Sequence, residues 1–409
     1  MLIADLHIHS RYSRGCSRDL TPETLWCWSQ LKGIDVVGTG DFTHPGWIAE
    51  LRDKLEPDDS GLLRLRAGLT LPEVYPSCRS DVRYLLTAEI SCIYRRHERT
   101  RKVHLVLLAP DFDTVLGINA ALAKIGNLAS DGRPILGLDA YRLLEMMLSI
   151  SPEIQVIPAH AWTPHFSVFG AFSGFDSLEE CFGDLTPYIR AIETGLSSDP
   201  AMNRRLPDLD GIQLLSCSDA HSPAKLGREA TLFDIEPGYG AVTSALATGA
   251  GLAGTIEFFP QEGKYYLDGH RACGICLQPE QTRSYGGRCP VCGGKLTVGV
   301  LHRVEELARR SLAEQPDRFP PFESLVPLAE LIASVVGFGT ASKRVQSVYH
   351  GLLEGLGNEF HILRQATEAD IARASSQEVA TAIVNMRRGI VRINPGYDGE
   401  FGKIMPVAA

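Results

Sequence analysis

Up to about residue 259 the chain alternates short apolar runs with stretches of helical periodicity, a rhythm that few soluble folds accommodate. LIADLHIH, DVVGTGD, RYLLTAEI, KVHLVLLA, IQVIPAH, IRAIETG, IQLLSCSDAH and GTIEFF read as strands. Between several of them lie amphipathic stretches such as TPETLWCWSQLKG, with Thr21 as N-cap and Pro22 as the first helical residue. Repeated strand–helix alternation packs as a mostly parallel sheet or barrel covered by helices, so residues 1–259 are expected to form an α/β domain. Residues 260–300 are a Gly-, Cys- and Tyr-rich insert with little core. Residues 301–409 read as an all-α domain, through VEELARRSLAE, LVPLAELIASVV, TASKRVQSVYHGLLEGL and EADIARASSQEVATAIVNMRRG.

The polar residues of those strands are ligand types. His7 and His9 are two apart, so both side chains leave the same side of the sheet. Asp41 ends DVVGTGD with His44 three residues on, Glu89 ends YLLTAE, His104 lies in KVHLVLL, and His160 ends IQVIPAH. Asp219 and His221 repeat the two-residue spacing. In an α/β barrel the C-terminal ends of the strands converge on one face, where the chemistry sits. A lone histidine is most often a satisfied core or loop residue, but a set spread over six strands is hard to explain as packing. Imidazoles with carboxylates and no thiolate suit borderline or hard divalent ions. Such ions lower the pKa of a bound water and neutralise phosphoryl charge, which suits phosphate-ester hydrolysis. No GxSxG elbow, Walker loop or GxGxxG after a strand is present, so serine-nucleophile, NTPase and dinucleotide chemistries have no motif behind them.

A second metal signal is of another kind. CGICLQPEQTRSYGGRCPVC holds Cys273, Cys276, Cys289 and Cys292 as two CxxC pairs, the spacing of a structural four-cysteine zinc ribbon. The insert is too short to bury a core, so one zinc would supply its folding energy. With no secretion pattern at the N-terminus and no long apolar run, the ten cysteines are expected to be thiols or zinc ligands in a reducing cytoplasm, away from membranes. Net charge is −9, which argues against a nucleic-acid partner until it is located: residues 1–254 hold 23 basic and 32 acidic side chains, so the whole excess lies with the candidate metal ligands. The run YRRHERTRK at 94–102, including Arg95 and Arg96, is basic within that acidic region and is a candidate phosphate contact. In VVGFGTASKRVQ a helix, a Gly-x-Gly turn and a new helix bearing Lys343 and Arg344 suggest a helix-hairpin-helix-like element that binds DNA backbone.

The ordered motifs DLHIHS, GTGDFTH, TAEI, KVHLVLL, PAHAW and SDAH resemble those of the polymerase-and-histidinol-phosphatase (PHP) family, phosphoesterases on a distorted (β/α)7 barrel with a trinuclear metal site. The resemblance implies that His7, His9, Glu89 and Asp219 share one metal, that Glu89 bridges to a second held by His104 and His160, and that His221 serves a third. Asp41 would complete that third site, with His44 as substitute, because Thr39-Gly40-Asp41 stands where many members have Thr-Asp-His. Gly15 and Cys16 stand where some members have a further ligand. Up to three divalent ions (zinc, manganese, magnesium or iron) are thus expected in the barrel.

With the ribbon and the helical tail included, essentially the whole chain resembles the endonuclease Q family of DNA-repair enzymes, down to GHRACGIC, SKRVQ and PGYDGEFGKI. That resemblance implies cleavage of the phosphodiester 5′ to a deaminated base (uracil, hypoxanthine, xanthine) or an abasic site, leaving a 3′-hydroxyl and a 5′-phosphate. DNA with such lesions would be the partner, and a sliding clamp a further candidate. Reading a base requires flipping it out of the stack, and Trp162, His165 and Phe166 in HAWTPHFSVFG are the candidates for stacking on it. Arg11, Lys225 and Arg228 flank ligand motifs and are further candidate phosphate contacts. Two alternatives compete: a small-molecule phosphatase of the histidinol-phosphatase kind, which leaves ribbon and tail unused, and a non-catalytic DNA-binding protein, which the nearly complete ligand set opposes.

Overall fold

The computed structural model describes residues 1–314 and 319–407. Seven strands form a closed ring: β1 (Leu2–Asp5), β2 (Val36–Gly38), β3 (Arg83–Arg96), β4 (Arg99–Ala109), β5 (Gln155–Pro158), β6 (Ala191–Glu193) and β7 (Gln213–Leu215). β1 pairs in parallel with β2, β2 with β3 and β6 with β7. At the mouth, Ala161 N donates to Glu193 O (3.0 Å), joining the ends of β5 and β6. Asp219 N to His7 O (2.9 Å) and His9 N to Ala220 O (3.1 Å) close the ring back onto β1. Residues from all seven strands, among them Ala4, Val36, Leu85, Val106, Ile157, Ala191 and Leu215, meet in one buried cluster with the helix Tyr239–Thr248. A core to which every strand contributes is the filled interior of a barrel.

One strand runs against the rest. β4 is antiparallel to both β3 and β5, so the sheet is less uniformly parallel than the alternation suggests. The two-residue turn His97–Glu98, both residues at positive φ, makes β3 and β4 a long hairpin. Reversal is why His104, at the middle of its strand, sits opposite Ser91 on the same stretch of the hairpin as Glu89. The helix Pro22–Lys32 starts at Thr21, whose side chain caps Thr24 N, and ends on Gly33 in the left-handed region.

Outside the ring the sheet continues from β1 through β8 (Ala230–Phe233) and β9 (Leu252–Glu257). The insert is a short hairpin, β10 (Asp268–His270) and β11 (Ile275–Leu277), over a core of Leu277, Cys289 and Leu296. Strand β12 (Phe322–Ser324) returns to pair with β9, so chain beyond the insert completes the barrel's sheet. The helices Leu328–Val336 and Lys343–Leu356 flank a turn that begins at Gly337, and three further helices follow. A break at Ser375, with Ser376 as the next N-cap, divides the last helical stretch read from the sequence. A final hairpin, β13 (Val391–Asn394) and β14 (Lys403–Pro406), adds β-structure to the helical region. No helix among the described residues is long and apolar enough to cross a membrane.

Candidate metal centre

At the mouth of the barrel the strand ends bring three donor groups within ligand distance: His7, His9 and Glu89; Glu89, His104 and His160; and His9, Asp219 and His221. They share His9 and Glu89, so this is one polynuclear cluster. Each histidine has one ring nitrogen occupied by a supporting oxygen and the other aimed inward. His7 Nδ1 donates to Glu193 (2.9 Å), His9 Nδ1 to Asp41 Oδ1 (3.1 Å) and His221 Nδ1 to the Asp219 carbonyl (2.8 Å). His104 Nε2 shares a hydrogen bond with Ser91 Oγ (3.1 Å), and His160 Nδ1 with Thr163 Oγ1 (3.2 Å). The inward atoms His7 Nε2, His9 Nε2 and Asp219 Oδ1 are buried and make no well-aligned hydrogen bond, although His9 Nε2 and Asp219 Oδ1 lie 3.0 Å apart as an ion pair. Buried polar atoms without partners are costly, and support on the far nitrogen is what metal-bound imidazoles use, so the residues fit divalent ions.

The backbone is bent to present these groups. His160 and Asp219 adopt positive φ, 31° and 47°, each at a cost of about 1–3 kcal/mol that surrounding contacts must offset. Gly195 makes room for the first: a Cβ there would fall 2.5 Å from the His160 Cβ. Arg228 holds the second, donating through Nε to Ser218 O (2.8 Å) and through Nη2 to Asp219 O (3.4 Å).

Burial disfavours the charged forms of His7 and His9, but the carboxylates of Glu193 and Glu89 hold His7 well above its ordinary pKa. Asp41 and Asp219 do the same for His9, which rises to about 10. Glu89 and Asp219 are lowered despite burial, by His104 and His7 around Glu89 and by His9 and His7 around Asp219. Burial pushes His104 down to about 4 against the pull of Glu89. A divalent ion at this cluster would compete with protons on His7 and His9.

Several expected roles change. Asp41 joins none of the donor groups; its carboxylate supports His9 and accepts from Ser10 N (2.6 Å), Ser10 Oγ (2.7 Å) and Ser13 Oγ (2.8 Å), which leaves it saturated. His44 stacks on Tyr12 at 4.3 Å and caps Gly46 N, away from the cluster. The third group is instead His9, Asp219 and His221. Burial, with Asp41 nearby, raises the Cys16 thiol to about 12, so it stays protonated. Trp162 is a core residue, 1% exposed and bonded to Asn203 Oδ1 at 2.7 Å, and cannot stack on a base. His165, stacked on Phe172 at 4.7 Å, and Phe166, 4.7 Å from the His104 ring, do line the cavity.

Among the candidate phosphate contacts, Arg96 is spent on Glu180 O, Cys181 O and Asp139, while Arg95 is exposed on the hairpin. Arg11 pairs with Glu50 (2.7 Å) and Lys225 with Glu330 (2.5 Å). Lys343 and Arg344 are exposed at the start of their helix, Arg344 over the Phe338 ring at 5.4 Å. In the insert, Cys273, Cys289 and Cys292 converge with His270, and Cys276 stands outside. The register explains this: Cys276 faces Gly269 and Ile275 faces His270, so neighbouring positions on the hairpin point to opposite sides. The PGYDG turn is docked on the insert, with Asp398 accepting from Arg271 N and Thr297 Oγ1, both at 2.6 Å.

A cavity of about 610 Å³ opens from the cluster, lined by Arg133, Glu193, Asp219, Arg228, Lys264 and Phe401 among others. Glu193 and Arg133 were not singled out in the sequence. A carboxylate closing an apolar run, as in RAIETG, is the same signal that marked Glu89. Arg133 carries no such mark.

Residues 327–390 match the family model described as the MJ0043 C-terminal domain. The uncharacterized protein MJ0043 of Methanocaldococcus jannaschii is 34% identical over 253 residues, which is 60% of this chain and 31% of that protein, so the chain spans under a third of that relative's length. YqxK of Bacillus subtilis is 29% identical over 431 aligned residues, covering 99% of both chains. The crystal structure of the lesion-specific endonuclease PfuEndoQ from Pyrococcus furiosus superposes with a TM-score of 0.86 at 32% identity, over 99% of this chain and 95% of that one. An endonuclease Q complex with a 27-mer duplex substrate, an abasic lesion at its active site, gives 0.84 at 32% identity, over 99% and 96%. None of these comparisons supports a sliding clamp.

Proposed function

The chain belongs to the endonuclease Q family, and from that premise we propose that it is a metal-dependent, lesion-specific DNA endonuclease. It hydrolyses the phosphodiester 5′ to a deaminated base (uracil, hypoxanthine or xanthine) or an abasic site, leaving a 3′-hydroxyl and a 5′-phosphate. The observation that carries the chemistry is the inward nitrogens of five histidines, each supported from behind, around Glu89 and Asp219. Zinc, manganese, magnesium or iron held there would supply Lewis acidity and an activated water. His7, His9, Glu89, His104, His160, Asp219 and His221 would hold the ions; Glu193, Asp41, Ser91 and Thr163 hold the rings in place.

Substrate choice rests on what surrounds the cluster. Phe166 and His165 at the cavity wall are the aromatic faces open to an extruded base. Arg95, Lys343 and Arg344 are the exposed cations of the earlier candidates, suited to backbone contact. A zinc on His270, Cys273, Cys289 and Cys292 would stiffen the insert, which the terminal turn also grips. The enzyme works in the cytoplasm, where its cysteines, all free here, stay reduced.

The reading is tested by incubating the protein with Mn²⁺ or Mg²⁺ and end-labelled duplexes carrying uracil, hypoxanthine or an abasic site. The expected result is one nick 5′ to the lesion, none in undamaged duplex, and none with chelator. Phosphate release from small esters without nicking would instead establish a metabolite phosphatase.

A further inference from the structure

The metal-ligand set gives Arg133 no task. Its Nη1 lies 3.0 Å from Glu89 Oε2, the oxygen that also faces His9 Nε2 at 3.4 Å and His7 Nε2 at 3.6 Å. The guanidinium thus stands beside an atom two ligand histidines approach. Its segment is fixed on both sides. Gly132 N donates to Tyr12 O (3.0 Å), Arg133 N to Asp131 Oδ1 (3.2 Å), and Ser91 N to Pro134 O (3.0 Å). A Cβ at residue 132 would fall 2.3 Å from Asp41 Oδ2, so glycine lets the segment close onto the support of His9. The side chain is about a quarter exposed, at 26%, and that part lines the cavity.

Divalent ions on this cluster would take the oxygens of Glu89 and repel a neighbouring cation. Arg133 would then lose its partner in the very state in which the protein is active. An anion between guanidinium and metals removes the conflict. A phosphoryl group has the right charge, and its paired oxygens match the planar fork of arginine.

We propose that Arg133 is a catalytic residue that grips the non-bridging oxygens of the scissile phosphate and holds it against the metal cluster. The proposal rests on the phosphodiesterase reading above for the identity of the ester. The contact with Glu89 is the resting arrangement, exchanged for phosphate when metal and substrate bind.

Calorimetric titration of inorganic phosphate into the Mn²⁺-loaded full-length protein tests this without relying on turnover. Arg133→Ala should weaken phosphate binding at least about tenfold and slow nicking by about a hundredfold or more, as for other lost oxyanion donors. Its Mn²⁺ content should match the native protein. Arg133→Lys should recover part of the phosphate affinity and less of the nicking, since an ammonium keeps the charge without the fork. Phosphate binding by Arg133→Ala within about threefold of native would overturn the proposal, and so would loss of its Mn²⁺, which would make Arg133 a structural counter-charge. Phosphate binding that depends on Arg133, in a native protein that nicks no lesion duplex, would defeat the DNA reading and leave this assignment standing.

Discussion

An imidazole that ligates a metal through one nitrogen keeps its orientation only if the other is held. Glu193 does this for His7 and also accepts from His160 N at 3.0 Å, so one carboxylate aligns ligands of two donor groups. Glu193→Gln keeps the shape and loses the charge-assisted bond. It should weaken Mn²⁺ binding by about ten- to a hundredfold, read by metal titration; unchanged affinity would remove Glu193 from the site's design. A second buried carboxyl has a different consequence. Burial raises Glu257 from 4.5 to about 8, against the hydrogen bonds from Ser216 and Thr255. A carboxyl whose folded pKa exceeds its unfolded value stabilises the fold below the unfolded value, and that stability is lost as pH rises through the folded one. Thermal stability should therefore fall between about pH 5 and about pH 8, and Glu257→Gln should flatten the fall. Melting curves across that range check it, and an unchanged slope would contradict it. The histidines that converge in the donor groups were legible in the sequence because each interrupts or ends an apolar strand. Asp41 carries the same mark and is a support, since a strand-end carboxylate reads alike whether it meets a metal or an imidazole. Arg133 lies in a loop, and only the closed barrel brings it to Glu89.

Registers and turns decide what spacing leaves open. The CxxC pairs foretold a donor group in the insert, but the pairing of Gly269 with Cys276 turns that cysteine away, and His270 joins Cys273, Cys289 and Cys292 instead. Zinc should be lost from Cys273→Ser and from His270→Ala and retained by Cys276→Ser, measured as zinc per chain. The barrel metals should persist in all three. Zinc loss from Cys276→Ser with retention in His270→Ala would restore the four-cysteine site. The seven barrel strands were legible as apolar runs, whereas the direction of β4 was not, because antiparallel and parallel strands share one alternation. That reversal carries His104 to Glu89 and His160. The terminal hairpin is weakly marked in the sequence: VRIN and KIMP flank the turn residues PGYDG, but each is only four residues long, and a stretch of strong helical periodicity precedes them.

At the scale of the molecule, the parts are tied together around the mouth of the barrel. Lys225, four residues past His221, reaches Glu330 in the helical region, and Asp398 of the terminal turn holds the insert. Lys264 and Phe401, far apart in sequence, both line the cavity that opens from the donor cluster. A metabolite phosphatase needs only the barrel; this arrangement brings residues of the insert and the tail to the wall of the same cavity. Asp219→Ala removes a ligand from this site while leaving the exposed cations in place. It should abolish nicking and leave lesion-duplex binding within about threefold of native, by analogy with the separable backbone contacts of DNA-binding proteins. The most direct measurement is to map, at nucleotide resolution, the products from a Mn²⁺-supplied duplex with a single uracil, comparing the native chain with Asp219→Ala. The account predicts one break 5′ to the uracil with a ligatable 3′-hydroxyl and a 5′-phosphate, absent in the variant. An intact strand, or breaks scattered without regard to the uracil, would contradict it.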